Sequence, residues 1–115
     1  MQKKYRLKNN EDFNRVYRQG NSVANRQFVL YWLYREDVQH IRLGVSTSKK
    51  LGKAVVRNKV RRLVKEVIRL LLPSLEPHFD IVIIARYASV GLGFEETKKS
   101  LIHLLKKAGL LQKAA

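Results

Sequence analysis

The spacing of hydrophobic residues in the first third of the chain predicts a short helix followed by a strand. Phe13, Val16 and Tyr17 recur at helical intervals after a pair of asparagines at positions 9 and 10, which are good N-cap residues, and Gly20 ends the pattern. From residue 27 to residue 35, apolar and aromatic side chains fill nearly every position, which is typical of a strand with little polar surface. Its two faces carry Phe28, Leu30, Trp32 and Tyr34, and Val29, Tyr31 and Leu33.

A second strand is predicted between residues 41 and 48, where apolar and polar or small positions alternate. Glu36 and Asp37 supply a polar turn between the two strands. The two strands are therefore predicted to form an antiparallel hairpin.

The second half of the chain returns to a helical period before a last strand and helix. From about Val55 one arc of a helical wheel is apolar, and Pro73 and Pro77 stop the pattern. Residues 80–86 contain a continuous apolar run, which favours a strand at the centre of a sheet. From Phe94 a second amphipathic helix begins with two glutamates and ends with two lysines. The order αββαβα predicts one α/β sandwich, with residues 1–115 as a single domain.

The net charge narrows the class of partner. The 115 residues include 24 Lys and Arg against 9 Asp and Glu, a formal charge of +15, which attracts nucleic acid or an anionic membrane. The longest apolar run, residues 28–34, is too short to cross a bilayer, and no cysteine is present for a disulfide or a zinc site. We expect a soluble, cytoplasmic protein with no membrane partner.

Much of this charge lies between residues 49 and 69, which hold nine basic residues and one acid. Like charges four residues apart destabilise a helix, and a solvated helix usually alternates its signs, so this pattern indicates an external polyanion. Arginine forks and an asparagine amide favour structured nucleic acid over a membrane surface. Opposite the apolar arc lie Arg57, Asn58, Arg61, Arg62, Lys65 and Arg69, preceded by a basic loop with Lys49, Lys50, Gly52 and Lys53.

The order of these residues resembles the signature of the bacterial ribonuclease P protein component. The pattern is Arg57-Asn58-Lys59-x-Arg61-Arg62, preceded by Ser48-Lys49-Lys50-Leu51-Gly52. Position 59 carries Lys where the family most often has Arg, so the charge is kept without the bidentate fork. The resemblance extends over ordered blocks along most of the chain: Phe13 and Tyr17, residues 22–31, residues 83–86 and residues 95–101.

The resemblance implies a small protein subunit of a catalytic RNA that removes the 5′ leader of precursor tRNA by Mg²⁺-dependent hydrolysis. It implies that the Mg²⁺ is held mainly by the RNA, that the partners are this RNA and precursor tRNA, and that no DNA is bound. It also implies a small mixed sheet with a left-handed βαβ crossover, against the usual right-handed rule. The surface implied for the catalytic RNA comprises Lys49, Lys50, Lys53, Arg57, Asn58, Lys59, Arg61, Arg62, Lys65 and Arg69. The leader cleft implied between the first helix and the sheet comprises Phe13, Tyr17, Val29, Tyr31 and Arg86.

The residues alone leave two questions open. By spacing, Phe13 and Tyr17 fit an ordinary core as well as a stacking surface for single-stranded RNA, a role that the resemblance favours for them and for Tyr31. Trp32, on the other strand face, is predicted to pack in the core. A ribosomal or RNA-chaperone protein, or a stand-alone ribonuclease, is the alternative function.

Protein-based catalysis has little support in the pattern. The carboxylates fall at helix starts and turns without forming a two-metal set, and the three histidines have no ligand-like or acid–base spacing. The sequence therefore predicts binding and positioning, with no catalytic or metal-binding residue in the protein.

Overall fold

The computed structural model describes residues 2–112 and has three helices and four strands in the order α1-β1-β2-β3-α2-β4-α3. The helices and strands are α1 (Asn10–Gln19), β1 (Asn21–Ala24), β2 (Phe28–Tyr34), β3 (Arg42–Ser46), α2 (Ala54–Leu71), β4 (Phe79–Ala85) and α3 (Phe94–Ala108). Short 3₁₀ turns occupy Lys3–Tyr5, Lys49–Leu51, Leu72–Ser74 and Tyr87–Ser89.

The four strands form one mixed sheet in the order β1-β2-β4-β3. β2 is antiparallel to β1 and to β4, whereas β3 runs parallel to β4, and α2 connects these two parallel neighbours. The α/β sandwich with a small mixed sheet is therefore confirmed, as is the central position of the apolar strand β4. The predicted hairpin of β2 and β3 is wrong, because β4 lies between them.

A buried carboxylate at the start of β4 links the three neighbouring strands. Asp80 is fully buried, and its two oxygens accept hydrogen bonds from Arg42 Nε and Nη2 at 2.7 and 2.8 Å. From the other side, Arg35 Nη1 donates to Asp80 at 3.1 Å. A buried charge is tolerated only when it is paired and hydrogen-bonded. Asp80 therefore ties β4 both to β3, through Arg42, and to the end of β2, through Arg35.

The sequence analysis missed strand β1, which is short and mostly exposed. A polar turn joins it to β2: the Asn25 side-chain oxygen accepts from the backbone N–H groups of Gln27 and Phe28 at 3.0 and 2.9 Å. The Asn25 amide donates to Ser100 Oγ on α3 at 2.9 Å. This edge of the sheet is thus fixed by polar contacts, which apolar periodicity does not reveal.

The main hydrophobic core lies between the sheet and the layer of α2 and α3. The predicted apolar arc of α2 faces it, since Val60, Val64, Val67 and Ile68 are all buried. Trp32 also packs against this core, as predicted.

A smaller cluster lies on the other face of the sheet, beneath α1. It has Leu7, Val16 and Val82 at its centre. Asn9 caps α1 as predicted, accepting from the Asp12 N–H at 2.9 Å. At the other end, a side chain on Gly20 would meet the Trp32 carbonyl oxygen at 2.4 Å, so only glycine allows α1 to approach β2 this closely.

Candidate nucleic-acid interface

The outer side of α2 carries a row of five cations and one asparagine. We call this row the basic face, and it comprises Arg57, Asn58, Arg61, Arg62, Lys65 and Arg69. Asn58, Arg62 and Arg69 are exposed, and Arg57, Arg61 and Lys65 are half-buried. A groove of about 390 Å³ runs along this side, lined by Asn58, Arg61, Arg62, Lys65, Glu66 and Arg69. The structure therefore brings together the residues that the helical wheel placed on one arc, with Lys59 exposed beside them.

Two arginines of the basic face, Arg57 and Arg61, are partly enclosed by the protein. Arg61 Nη2 donates to Thr47 Oγ1 at 2.5 Å, and its Nη1 donates to Asn58 Oδ1 at 3.1 Å. Arg57 Nε is buried and has no hydrogen-bond partner among the described residues. These contacts restrict the side chains while leaving guanidinium donors available for a ligand.

The other end of the basic face combines crowded cations with one ion pair. Partial burial, and then the nearby charges of Arg6 and Arg61, lower the pKa of Lys65. Arg69 Nη2 lies 2.5 Å from Glu66 Oε1, and this hydrogen bond lowers the pKa of Glu66. Arg69 is thus partly neutralised, unlike the other cations of the row.

The loop before α2 adds three exposed lysines, Lys49, Lys50 and Lys53. Leu51 is buried and anchors the loop, and Gly52 has φ +133, a conformation that L side chains rarely adopt. Lys53 is the N-cap residue of α2 but makes no side-chain cap, and the first turn contains no acid. The loop thus places cations around the positive end of the helix dipole.

Between α1 and the sheet, where the sequence analysis expects a leader cleft, three aromatic side chains, Phe13, Tyr17 and Tyr31, are partly buried and pack against the smaller cluster. The rings of Tyr17 and Tyr31 meet edge to face, with centroids 5.0 Å apart. Phe13 lies against Gly44 of β3, where an added Cβ would come within 2.5 Å of the ring. Val29 is half-buried on β2 and pairs with Ile84 of β4. The structure therefore brings together Phe13, Tyr17 and Tyr31, with Val29 farther along the strand.

Arg86 follows β4 at the far end of the cleft and is exposed. By strand alternation it falls on the same face as Val82 and Ile84. Its Nη1 donates to the Asn25 carbonyl oxygen at 3.1 Å, so it also supports the turn between β1 and β2.

The cleft and the basic face meet at the end of β3. Burial raises the pKa of the Tyr17 phenol, and the neighbouring Ser46 side chain partly offsets this rise. Arg61 reaches the next residue, Thr47. Sequence reasoning missed Gly44, Ser46 and Thr47 as parts of the site. The available signal was a run of small residues at the end of a strand, just before the basic loop.

Within residues 2–112 no three acidic or histidine side chains come together as a possible metal-binding set. The one buried carboxylate, Asp80, is occupied by two arginines. In the same range no helix is both long enough and apolar enough to span a membrane.

Comparison with known proteins gives one consistent family. The profile of the ribonuclease P family matches residues 1–109. The ribonuclease P protein component of Geobacillus thermodenitrificans is 52% identical over 113 residues, covering 98% of this chain and 93% of that protein. Among solved structures, the RNase P protein of Staphylococcus aureus has a TM-score of 0.88 at 42% identity and covers 94% of this chain and 98% of its own. The RNase P protein of Thermotoga maritima has a TM-score of 0.81 at 32% identity, with coverages of 89% and 96%.

Proposed function

The chain belongs to the ribonuclease P protein family, and we propose that it is the protein subunit of a ribonucleoprotein that removes the 5′ leader of precursor tRNA, with RNA as the catalytic component. The observation that supports this proposal lies at the end of β3, where Phe13 packs against Gly44 and, three residues later, Thr47 holds Arg61 of the basic face. A protein that must contact a folded RNA and a single strand at the same time needs two such surfaces side by side.

The basic face and its loop are the surface for the catalytic RNA. Phosphates relieve the mutual repulsion of the cations, and arginine forks engage them bidentately. Because Arg61 is already held by Thr47 and Asn58, less side-chain entropy is lost when it binds. The proposed contacts are Lys49, Lys50, Lys53, Arg57, Asn58, Lys59, Arg61, Arg62, Lys65 and Arg69.

The cleft is the surface for the leader. Bases of a single strand stack on aromatic side chains without sequence preference, at about 1–3 kcal/mol per base. Tyr17 and Tyr31 are half-buried, so ring surface remains accessible after the core is packed. Phe13 fixes the wall of the cleft against Gly44, Val29 extends the floor, and Arg86 supplies a cation at the far end.

The chemistry in this proposal belongs to the RNA. In this proposal the RNA subunit holds the Mg²⁺, and the assembly works in the cytoplasm. The protein reduces repulsion between two polyanions and adds affinity for the substrate.

Reconstitution tests the function. Protein alone should leave precursor tRNA intact, and protein with its ribonuclease P RNA should release the leader at a lower Mg²⁺ concentration than the RNA alone. A ribosomal or RNA-chaperone protein would give no such gain and would bind ribosomal RNA equally well in competition. Cleavage by protein alone would instead support the stand-alone nuclease.

Tyr31→Ala tests the cleft. We expect the holoenzyme's affinity for precursor tRNA to fall about tenfold, the value of one stacked base, while affinity for mature tRNA stays nearly unchanged. Tyr34→Ala is the matched control, because Tyr34 is a 59% exposed tyrosine on the other face of the same strand. Equal losses for both RNAs would contradict a leader cleft, and thermal melts of both variants separate binding from folding.

A further inference from the structure

The segment before α1, residues 2–8, is fixed along the outer edge of the sheet. Arg6 forms a parallel bridge with Leu43 of β3, and the Leu7 N–H donates to the Leu43 carbonyl oxygen at 3.0 Å. Leu7 is buried in the cluster beneath α1. This N-terminal segment contains four cations and no acid: Lys3, Lys4, Arg6 and Lys8. Its charges are therefore held in a defined place beside β3.

The N-terminal segment shares a groove with the end of α2. This groove, of about 440 Å³, is lined by Gln2, Tyr5, Arg69 and Leu72. Tyr5 is held there edge-on to His40, with ring centroids 4.9 Å apart. Arg69 also ends the groove along the basic face. The two grooves meet at Arg69, so the surface runs from α2 onto the N-terminal segment without interruption.

The N-terminal segment and α2 carry charges of the same sign on neighbouring parts of the surface. The charges of Arg6 and Arg61 act on the half-buried Lys65 ammonium and add to the effect of its burial. Arg6 also lines a further groove of about 420 Å³ with Lys3, Leu7 and Lys8. The acid nearest along α2, Glu66, is bound to Arg69. Repulsion between these cations is unfavourable in the free protein and is reduced when a polyanion binds the surface.

We propose that the N-terminal segment is a second part of the surface for the catalytic RNA, to which Arg6 adds a phosphate contact. The inference rests on the proposed function and adds to it a region outside the signature helix. We assign the site to the catalytic RNA because the grooves join at Arg69 of the basic face.

The salt dependence of binding tests this site. Arg6→Gln should weaken binding to the ribonuclease P RNA about fivefold at about 0.15 M salt and reduce the slope of log K against log salt by about 0.9. Lys107→Gln, an equal charge loss on α3, should change neither quantity. Among the described residues the Arg6 side chain has no hydrogen bond or ion pair, so the variant is expected to melt at the wild-type temperature.

Two further arms separate the possible failures. If Arg62→Gln weakens binding and Arg6→Gln behaves like Lys107→Gln, the N-terminal site is refuted while docking through α2 stands. If Arg62→Gln also has no effect, the basic face itself is not the RNA surface. If Arg6→Gln weakens binding to isolated precursor tRNA and leaves the catalytic RNA unaffected, the segment contacts the substrate and the proposal is overturned.

Discussion

Helices α2 and α3 lie side by side on the same face of the sheet, and both are amphipathic, but their charges serve different purposes. In α3 the charges suit the helix itself: Glu95 and Glu96 lie in the first turn, Lys106 and Lys107 in the last, and Glu96 accepts from the Gly93 N–H at 3.2 Å. In α2 the first turn has no acid and no side-chain cap, and cations fill the middle of the helix. The contrast shows that α2 holds charges its own stability does not favour, which supports the proposal that a polyanion binds them.

The largest expected effect comes from removing cations of α2. Arg57→Ala, Arg61→Ala and Arg62→Ala together should lower affinity for the ribonuclease P RNA about a hundredfold at about 0.15 M salt, because three phosphate contacts are lost. The salt slope should fall by about 2.7. The matched triple variant of α3, Lys99→Ala, Lys106→Ala and Lys107→Ala, should bind like the wild type. Equal losses in both triples would mean that net charge, and not the basic face, determines binding.

Placing an acid at the N-terminus of α2 should stabilise the fold and weaken RNA binding. Lys53 has the extended conformation of an N-cap, with φ −67 and ψ 167, so Lys53→Asp should cap the helix and add about 1 kcal/mol to the free energy of unfolding. The reversed charge should weaken RNA binding about tenfold or more. Urea unfolding and RNA titration measure the two changes. Lys53→Ala is the control: it should lose affinity without the gain in stability.

Removing the N-terminal cap of α3 should lower stability without changing RNA affinity. Glu96→Ala should lower the free energy of unfolding by about 0.5–1 kcal/mol, since the Gly93 N–H loses its partner, and leave RNA affinity unchanged. Glu95→Ala, in the same turn, should cost less because Glu95 makes no such hydrogen bond. A loss of RNA affinity in Glu96→Ala would remove the contrast between the two helices.

The smallest effect is expected at the one acid of the basic face. Glu66→Gln should release Arg69 and remove a repulsive charge, so RNA affinity should rise by a few-fold and the salt slope should steepen by less than one unit. Stability should hardly change, as is usual for an exposed ion pair. A fall in affinity would show that the Arg69–Glu66 pair itself positions a contact.

Elements of this fold were predictable from local pattern, and strand neighbours were not. The period of α2 identified its buried and basic sides, and the apolar run of β4 indicated a central strand. The pairing of β2 with β3 was wrong because a polar turn predicts only that the chain changes direction. In the fold, Asp80 of β4 is buried between Arg35 and Arg42, and these contacts span 45 and 38 residues, which no local pattern reveals.

In the candidate site, too, features set by local spacing were predictable from the sequence and tertiary contacts were not. The helical spacing predicted the row of cations. It did not predict the hydrogen bond from Arg61 to Thr47 or the packing of Phe13 against Gly44, because these are tertiary contacts. The ion pair between Arg69 and Glu66 is local, but its formation depends on side-chain conformation. The N-terminal segment was passed over because its cations follow no helical or strand period. The absence of any acid between residues 2 and 8 was the available signal.

The strand order also determines when each strand pair can form during synthesis of the chain. β4, which separates β2 from β3, is the last strand to be synthesised, so before residue 85 emerges only the β1–β2 pair can form. Until then the residues of α2 have been synthesised, but the complete sheet that covers their apolar side has not yet formed. The pairings of β4 with β2 and β3 therefore form late and join residues distant in sequence, and such contacts form more slowly than a local hairpin. During that interval the chain exposes apolar side chains and carries many positive charges. Anions that bind the basic face of the folded protein stabilise the folded state.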